Sequence, residues 1–205
     1  PGGAHLVGAS GGSTLRLVGD GPLLRADRLA RLRIEGVRFE GPGRAGDGKE
    51  ALVSLAGVSS LDILGCAMVD AAGDGLRLVG CGGRVADTAF ERIGATAIFS
   101  HDAVGLAVEN NRIEDCGDNG VRIWRWKQGY DGSRVIGNRI HKIASRSGGS
   151  GQNGNGVSCW LADGVRASRN DVRDVAWSAL RNASCRNVVF ADNICAEARE
   201  TAIWA

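Results

Sequence analysis

Residues 110–126 read NNRIEDCGDNGVRIWRW, and parts of that pattern return as GNRIHKI (137–143), RNDVRDVAWSALRN (169–182) and FADNICAEARETAIWA (190–205). Registering the copies on one another gives a column of apolar residues: Phe39, Met68, Phe90, Ile113, Ile140, Val172 and Cys195. Five positions earlier stand Ile34, Ile63, Val85, Val108, Val135, Ala167 and Phe190, again all apolar. Two positions before the last four column members stand Asn111, Asn138, Asn170 and Asn193. A fixed period of this kind is the signature of a repeat architecture.

A second column follows: Leu52, Leu76, Ile98, Val121, Val157, Leu180 and Ile203, each after Gly or Ala. Undisturbed units are 22–24 residues long. Within each, apolar and polar residues alternate, as in Val121, Arg122 and Ile123, which is the period of a β-strand. One unit cannot bury its apolar face alone; stacking units in parallel buries every column continuously. The reading is therefore all-β: a right-handed parallel β-helix of about 7–8 rungs, forming one domain over 1–205. Residues 1–30 read as an irregular N-terminal rung, and the chain reads as part of a longer solenoid. The asparagines are expected at a sharp corner, where Asn tolerates a left-handed backbone and stacked amides bond to one another. A leucine-rich repeat shares the period and the LAVENNRI-like core (106–113). It would need a helical second half, whereas NGVRIW, NGVSCW and DGLRLV are β-like.

Composition fits this reading. The 32 glycines argue against a helix bundle, since each interior glycine costs about 1 kcal/mol. The 43% of apolar residues argue against disorder. A net charge of +2 is too small for a nucleic-acid groove, and no apolar run is long enough to span a membrane. Cys66, Cys81, Cys116, Cys159, Cys185 and Cys195 are widely spaced without a CxxC pair, so they read as buried thiols rather than a zinc site. No metal and no cofactor is expected.

The repeated N-x-I-x-x-x-x-x-x-G-V-x-I pattern from Arg31 onward resembles the right-handed β-helix superfamily that includes pectate lyases and related carbohydrate-active proteins. NRIEDCGDNGVRIWRWKQGYDGSRVIGNRI (111–140) and GQNGNGVSCWLADGVRASRNDVRDV (151–175) also resemble a family of repetitive proteins exported by the twin-arginine route. These resemblances imply a periplasmic or extracellular protein that interacts with carbohydrate, in the first instance acidic polysaccharide. They leave two alternatives open: a polysaccharide lyase, hydrolase or epimerase whose site lies partly outside this chain, and a structural solenoid that self-associates end to end.

Insertions in a solenoid gather on its working face. Residues 41–49 form one; WRWKQGYDG (124–132) and ASRSGGSGQNGNG (144–156) flank neighbouring strands of the second column and would wall a groove. Alternation puts Arg77, Phe99, Arg122, Ser158 and Arg181 outward one position after that column, and His101, Trp124 and Trp160 three after it. Glu50, Asp74, Asn119, Asn155 and Ser178, two before it, are read as outward too, and Trp126 and Tyr130 sit in an insertion. The candidate ligand-binding set is thus Arg77, His101, Asn119, Arg122, Trp124, Trp126, Tyr130, Asn155, Trp160 and Arg181. Aromatic faces stack on sugar rings and arginine grips carboxylates bidentately; mutual packing of Trp124 and Trp160 is the competing reading. Catalytic residues cannot be assigned. In the column two positions before the second, Asp74 stands with Glu50 on one side and Thr96 on the other, and no set of paired acids for glycoside hydrolysis is assigned from them. His101 and Asp102, adjacent on a strand, should point opposite ways.

Overall fold

The computed structural model describes residues 2–43 and 50–205; part of the 41–49 insertion therefore lies outside the described residues. The described residues contain 24 strands and no helix, which removes the leucine-rich alternative. The strands form three sheets of eight, and in each sheet every third strand of the chain pairs with the next. All pairings are parallel, so each coil lays one strand on each sheet and the next coil stacks on it. That coiling follows from the alternation: one row of side chains per strand is apolar, and only a closed stack hides all rows together.

The first column is continuous. Phe39 pairs with Met68, Met68 with Phe90, Phe90 with Ile113, Ile113 with Ile140, Ile140 with Val172 and Val172 with Cys195. Ile34 to Phe190 form an equally continuous column on the first sheet. From Phe39 to Val172 the members of the first column are fully or almost fully buried. All six cysteines are free; four are buried and two half-buried.

Two expectations change in detail. Residues 2–30 join the solenoid as a first coil with an irregular spacing: Gly3–Val7, Ser13–Arg16 and Leu24–Asp27 each enter one sheet. Leu6 lies under Ile34 and Leu15 under Phe39, but nine residues separate them instead of five, which hides the register in the sequence. In the second column the partner of Leu76 is Val53, not Leu52. Both residues are buried and adjacent beside the insertion, so the apolar pattern alone cannot choose between them.

The asparagine column is a hydrogen-bonded ladder. Asn111 Nδ2 donates to Asn138 Oδ1 (2.9 Å), Asn138 Nδ2 to Asn170 Oδ1 (3.0 Å) and Asn170 Nδ2 to Asn193 Oδ1 (2.9 Å). Each amide also donates to a carbonyl of the preceding coil, such as Val108 O from Asn138 (2.9 Å). Toward the N-terminus Thr88 and Cys66 continue the same column: Thr88 N donates to Asn111 Oδ1 and Cys66 N to Thr88 Oγ1. The left-handed backbone falls one residue earlier than expected, on Asn110 (φ 54°), Gly137 (69°), Arg169 (56°) and Asp192 (56°). The ladder asparagines themselves are selected for their inward amides, and the preceding residue takes the corner.

Candidate functional site

The outer face of the third sheet carries most of the expected site. Thr96–His101, Asn119–Tyr130, Asn155–Asp163 and Ser178–Ala183 are neighbouring strands there. Phe99, Arg122, Ser158 and Arg181 pair in one outward column, and His101, Trp124 and Trp160 in another. Alternation alone aims them, because Ile98, Val121, Ile123, Val157, Cys159 and Leu180 take the inward positions.

Arg122 is the central group. Its guanidinium carbon lies 5.1 Å from the ring centre of Phe99 and 5.7 Å from that of Trp124. Among the described residues no carboxylate pairs with it, although Asp74 and Asp118 are near enough to be felt electrostatically. Burial pulls its pKa below the ordinary arginine value, against the opposing pull of those two acids. The arginines two coils to either side of it are engaged: Arg77 donates to Asp74 Oδ2 from Nε (2.9 Å) and Nη2 (2.6 Å). Arg181 reaches Glu200 (3.3 Å) and lies 4.0 Å from the Trp204 ring centre.

Beside Arg122 opens a cleft of about 370 Å³ lined by Ser150, Gln152, Ser158, Trp160, Arg181 and Ala183. Trp160 is 41% exposed in it. Trp124 and Trp160 are register partners, yet the ring contacts of Trp124 run the other way, to Phe99 (6.0 Å), His101 (4.8 Å) and Trp126 (4.6 Å). The mutual-packing reading of the two tryptophans therefore gives way to two separate roles. Ser150 and Gln152 had no signal in the sequence beyond lying in an insertion.

The two insertions differ in kind. Residues 125–128 are a bulge within one long strand, because pairing to the next coil resumes at Gly129 and Tyr130. Arg125 holds the bulge down by donating to Ala103 O (3.2 Å), beside the buried carboxylate of Asp131 (3.7 Å). Trp126 leaves the bulge 67% exposed with its ring edge against His101 (5.0 Å). Tyr130 turns away from the groove: its ring covers Gly132 and Gly164, where any added Cβ would clash with it. The second insertion is a loop pinned to the sheet, since Asp118 accepts hydrogen bonds from Ser147 N (2.8 Å) and Oγ (2.7 Å).

Asn119 and Asn155 face inward and are fully buried, which corrects their expected place in the groove. A residue two before an inward one has the same parity, and the strands run unbroken through 119 and 155. Ser178 is buried for the same reason; Asp74, which precedes its strand, is buried with its carboxylate accepting from Thr96 N (3.0 Å), while Glu50 belongs to no such column because Val53 is the true register residue. His101 and Asp102 depart from expectation in the opposite sense. Asp102 has φ 51°, the alternation breaks there, and its carboxylate comes within 3.2 Å of His101 Nε2. The pair is not aligned as a hydrogen bond, and Nε2 is buried without a partner. Burial lowers the His101 pKa; Asp102 pulls it up and Arg125 pushes it down.

Chemically the face offers a guanidinium that no carboxylate pairs with among the described residues, a cluster of aromatic rings and a cleft. The nearby acids Asp74 and Asp118 already accept protein hydrogen bonds. Among the described residues no group of three or more His, Cys, Asp or Glu is placed to hold a metal ion.

The family model described as a right handed beta helix region matches residues 51–205. The chain belongs to the right-handed β-helix family. A crystal structure of the catalytic unit of a thermostable GH87 alpha-1,3-glucanase from Streptomyces thermodiastaticus strain HF3-3 is similar to this β-helix at 11% identity with a TM-score of 0.32. The match covers 98% of this β-helix and 64% of that chain, a likeness too slight to carry an argument about activity. No curated protein matches the sequence.

Proposed function

We propose that this β-helix interacts with carbohydrate, in the first instance an acidic polysaccharide, through the outer face of the third sheet. One observation carries the reading: Arg122 is a guanidinium without a carboxylate partner among the described residues, at the edge of a cleft that also holds the exposed ring of Trp160. Arginine left unpaired among aromatic rings meets a carboxylate with a planar fork of donors, while the indole supplies a face for the sugar ring. The reading is of binding rather than bond cleavage, since the nearby acids Asp74 and Asp118 are occupied by protein donors. It also places the protein outside the cytoplasm, where such polymers are met; fractionation of producing cells tests that part.

Calorimetric titration with oligogalacturonate and hyaluronan fragments tests the site. Arg122→Ala and Trp160→Ala should each weaken binding by about tenfold or more, the loss of one charge-assisted hydrogen-bonded contact or one stacked ring. Unchanged affinity in both variants would place the ligand elsewhere.

A further inference from the structure

On the third sheet, Arg25, Arg77, Arg122 and Arg181 all fall in one outward column, on alternate coils. The register is unbroken: Arg25 pairs with Ser54, Ser54 with Arg77, Arg77 with Phe99 and Phe99 with Arg122. Arg122 then pairs with Ser158, Ser158 with Arg181 and Arg181 with Trp204. With strands about 4.8 Å apart, the guanidinium roots recur every ~9.6 Å along the solenoid axis. The residues between them are uncharged hydroxyls and rings.

Charge repulsion does not force this alternation. Elsewhere the same chain sets arginines on adjacent coils, Arg112 beside Arg139 and Arg134 beside Arg166. Nor do the existing ion pairs consume the column. Among the described residues, Arg77 bonds Asp74 through Nε and Nη2 only, and Arg181 bonds Glu200 through Nη1 only. Arg25 only approaches Glu50, at 3.7 Å, and is well exposed. Shallow depressions lie at both ends of the column, about 240 Å³ around Arg25 and Ser54, and the 370 Å³ cleft around Arg122, Ser158 and Arg181.

We propose that this column is a ruler for a linear glycan carrying one acidic group per disaccharide, laid along the solenoid axis. The inference rests on the carbohydrate reading above and names its substrate class. A pyranose in an extended chain advances by a distance comparable with one coil spacing. An acid on every second sugar meets an arginine each time, and the neutral sugar between falls on Ser54, Phe99, Ser158 or Trp204. A glycan with an acid on every sugar would press half its carboxylates against those residues, where an uncompensated charge is costly.

The test is titration of the full chain with three octasaccharides of matched length: hyaluronan (one carboxylate per disaccharide), oligogalacturonate (one per sugar) and maltooctaose (none). Hyaluronan should bind at least tenfold tighter than oligogalacturonate despite half the charge. Two charge-preserving swaps move a guanidinium by one coil: Arg122→Ser with Ser158→Arg, and, on the exposed far end, Arg25→Ser with Ser54→Arg. Each should cost hyaluronan several-fold in affinity; Ser158 is buried, so the folding control is the Arg25 and Ser54 swap, whose melting temperature should stay that of the parent. Equal or tighter binding of oligogalacturonate, or swaps without effect, would overturn the ruler and leave the carbohydrate reading standing. Failure of all three sugars to bind would remove both.

Discussion

The side-chain oxygen of Asn119 accepts two hydrogen bonds from Asn155 on the next coil, one from its backbone N–H (3.2 Å) and one from its amide (3.3 Å). Asn155 Nδ2 donates onward to Gly151 O (2.9 Å), and Asn119 Nδ2 to Gln152 O (3.4 Å). Two residues read from the sequence as ligand contacts are therefore the buried fastening of the loop that lines the cleft. Asn155→Ala should lower stability by about 2 kcal/mol, because it leaves buried partners unsatisfied. Hydrogen exchange should quicken in residues 148–154 more than in the first sheet; uniform exchange across the chain would contradict the fastening.

The Asn111–Asn193 ladder should behave as a cooperative brace. In Asn138→Ala, Asn111 loses its acceptor, Val108 O loses its side-chain donor, and Asn170 Oδ1 keeps only the backbone N–H of its two donors from residue 138, all at buried positions. A loss of about 3 kcal/mol is expected, and on a domain of this size about 10 °C in melting temperature. Asn138→Asp, which keeps the acceptor but sets a buried carboxylate against Asn170 Oδ1 and Val108 O, should be at least as destabilising as alanine in a calorimetric scan.

Stability should decline as pH falls below the ordinary histidine value of 6.5. Burial lowers the His101 pKa in the folded state, so the unfolded chain takes up the proton first. The histidine contribution is fully present above 6.5 and is lost as pH falls toward the lower folded-state pKa. Asp131 works in the other direction at more acid pH, since burial raises its carboxyl pKa and the folded state then binds the proton more readily. His101→Phe keeps a ring between Trp124 and Trp126 and should flatten the decline just below 6.5 in melting curves taken across pH.

Close approach of coils sets a different kind of limit at glycine. A Cβ on Gly117 would sit 1.8 Å from Gly94 O, a backbone atom that cannot move without separating two coils. Gly117→Ala should therefore cost about 3 kcal/mol or more, as other overpacked interiors do. Gly105 has open space around it and pays only for its left-handed backbone (φ 69°), so Gly105→Ala should cost about 1 kcal/mol. Equal melting temperatures for the two variants would refute the distinction.

Much of the architecture is legible in the sequence, and for a local reason. Alternation marks which residues face in, and a repeated spacing states which residues stack; Phe39 through Cys195 needed nothing more. Legibility failed where the chain departs from a plain strand. Leu52 and Val53 are both apolar beside an insertion, so parity was ambiguous there. At Asp102 a left-handed residue folds a side chain back onto His101 against the alternation.

The sequence by itself determined the coil period, the inward columns and the asparagine stack, because these depend on residue type repeated at fixed spacing. Only the tertiary structure decided which polar groups are already satisfied. Whether an arginine is free or paired depends on what the neighbouring coil and loop bring beside it: Asp74 claims Arg77, Glu200 claims Arg181, and no described carboxylate claims Arg122. Hydrogen-bond partners some two dozen residues apart are set by three-dimensional register, and no local pattern encodes them.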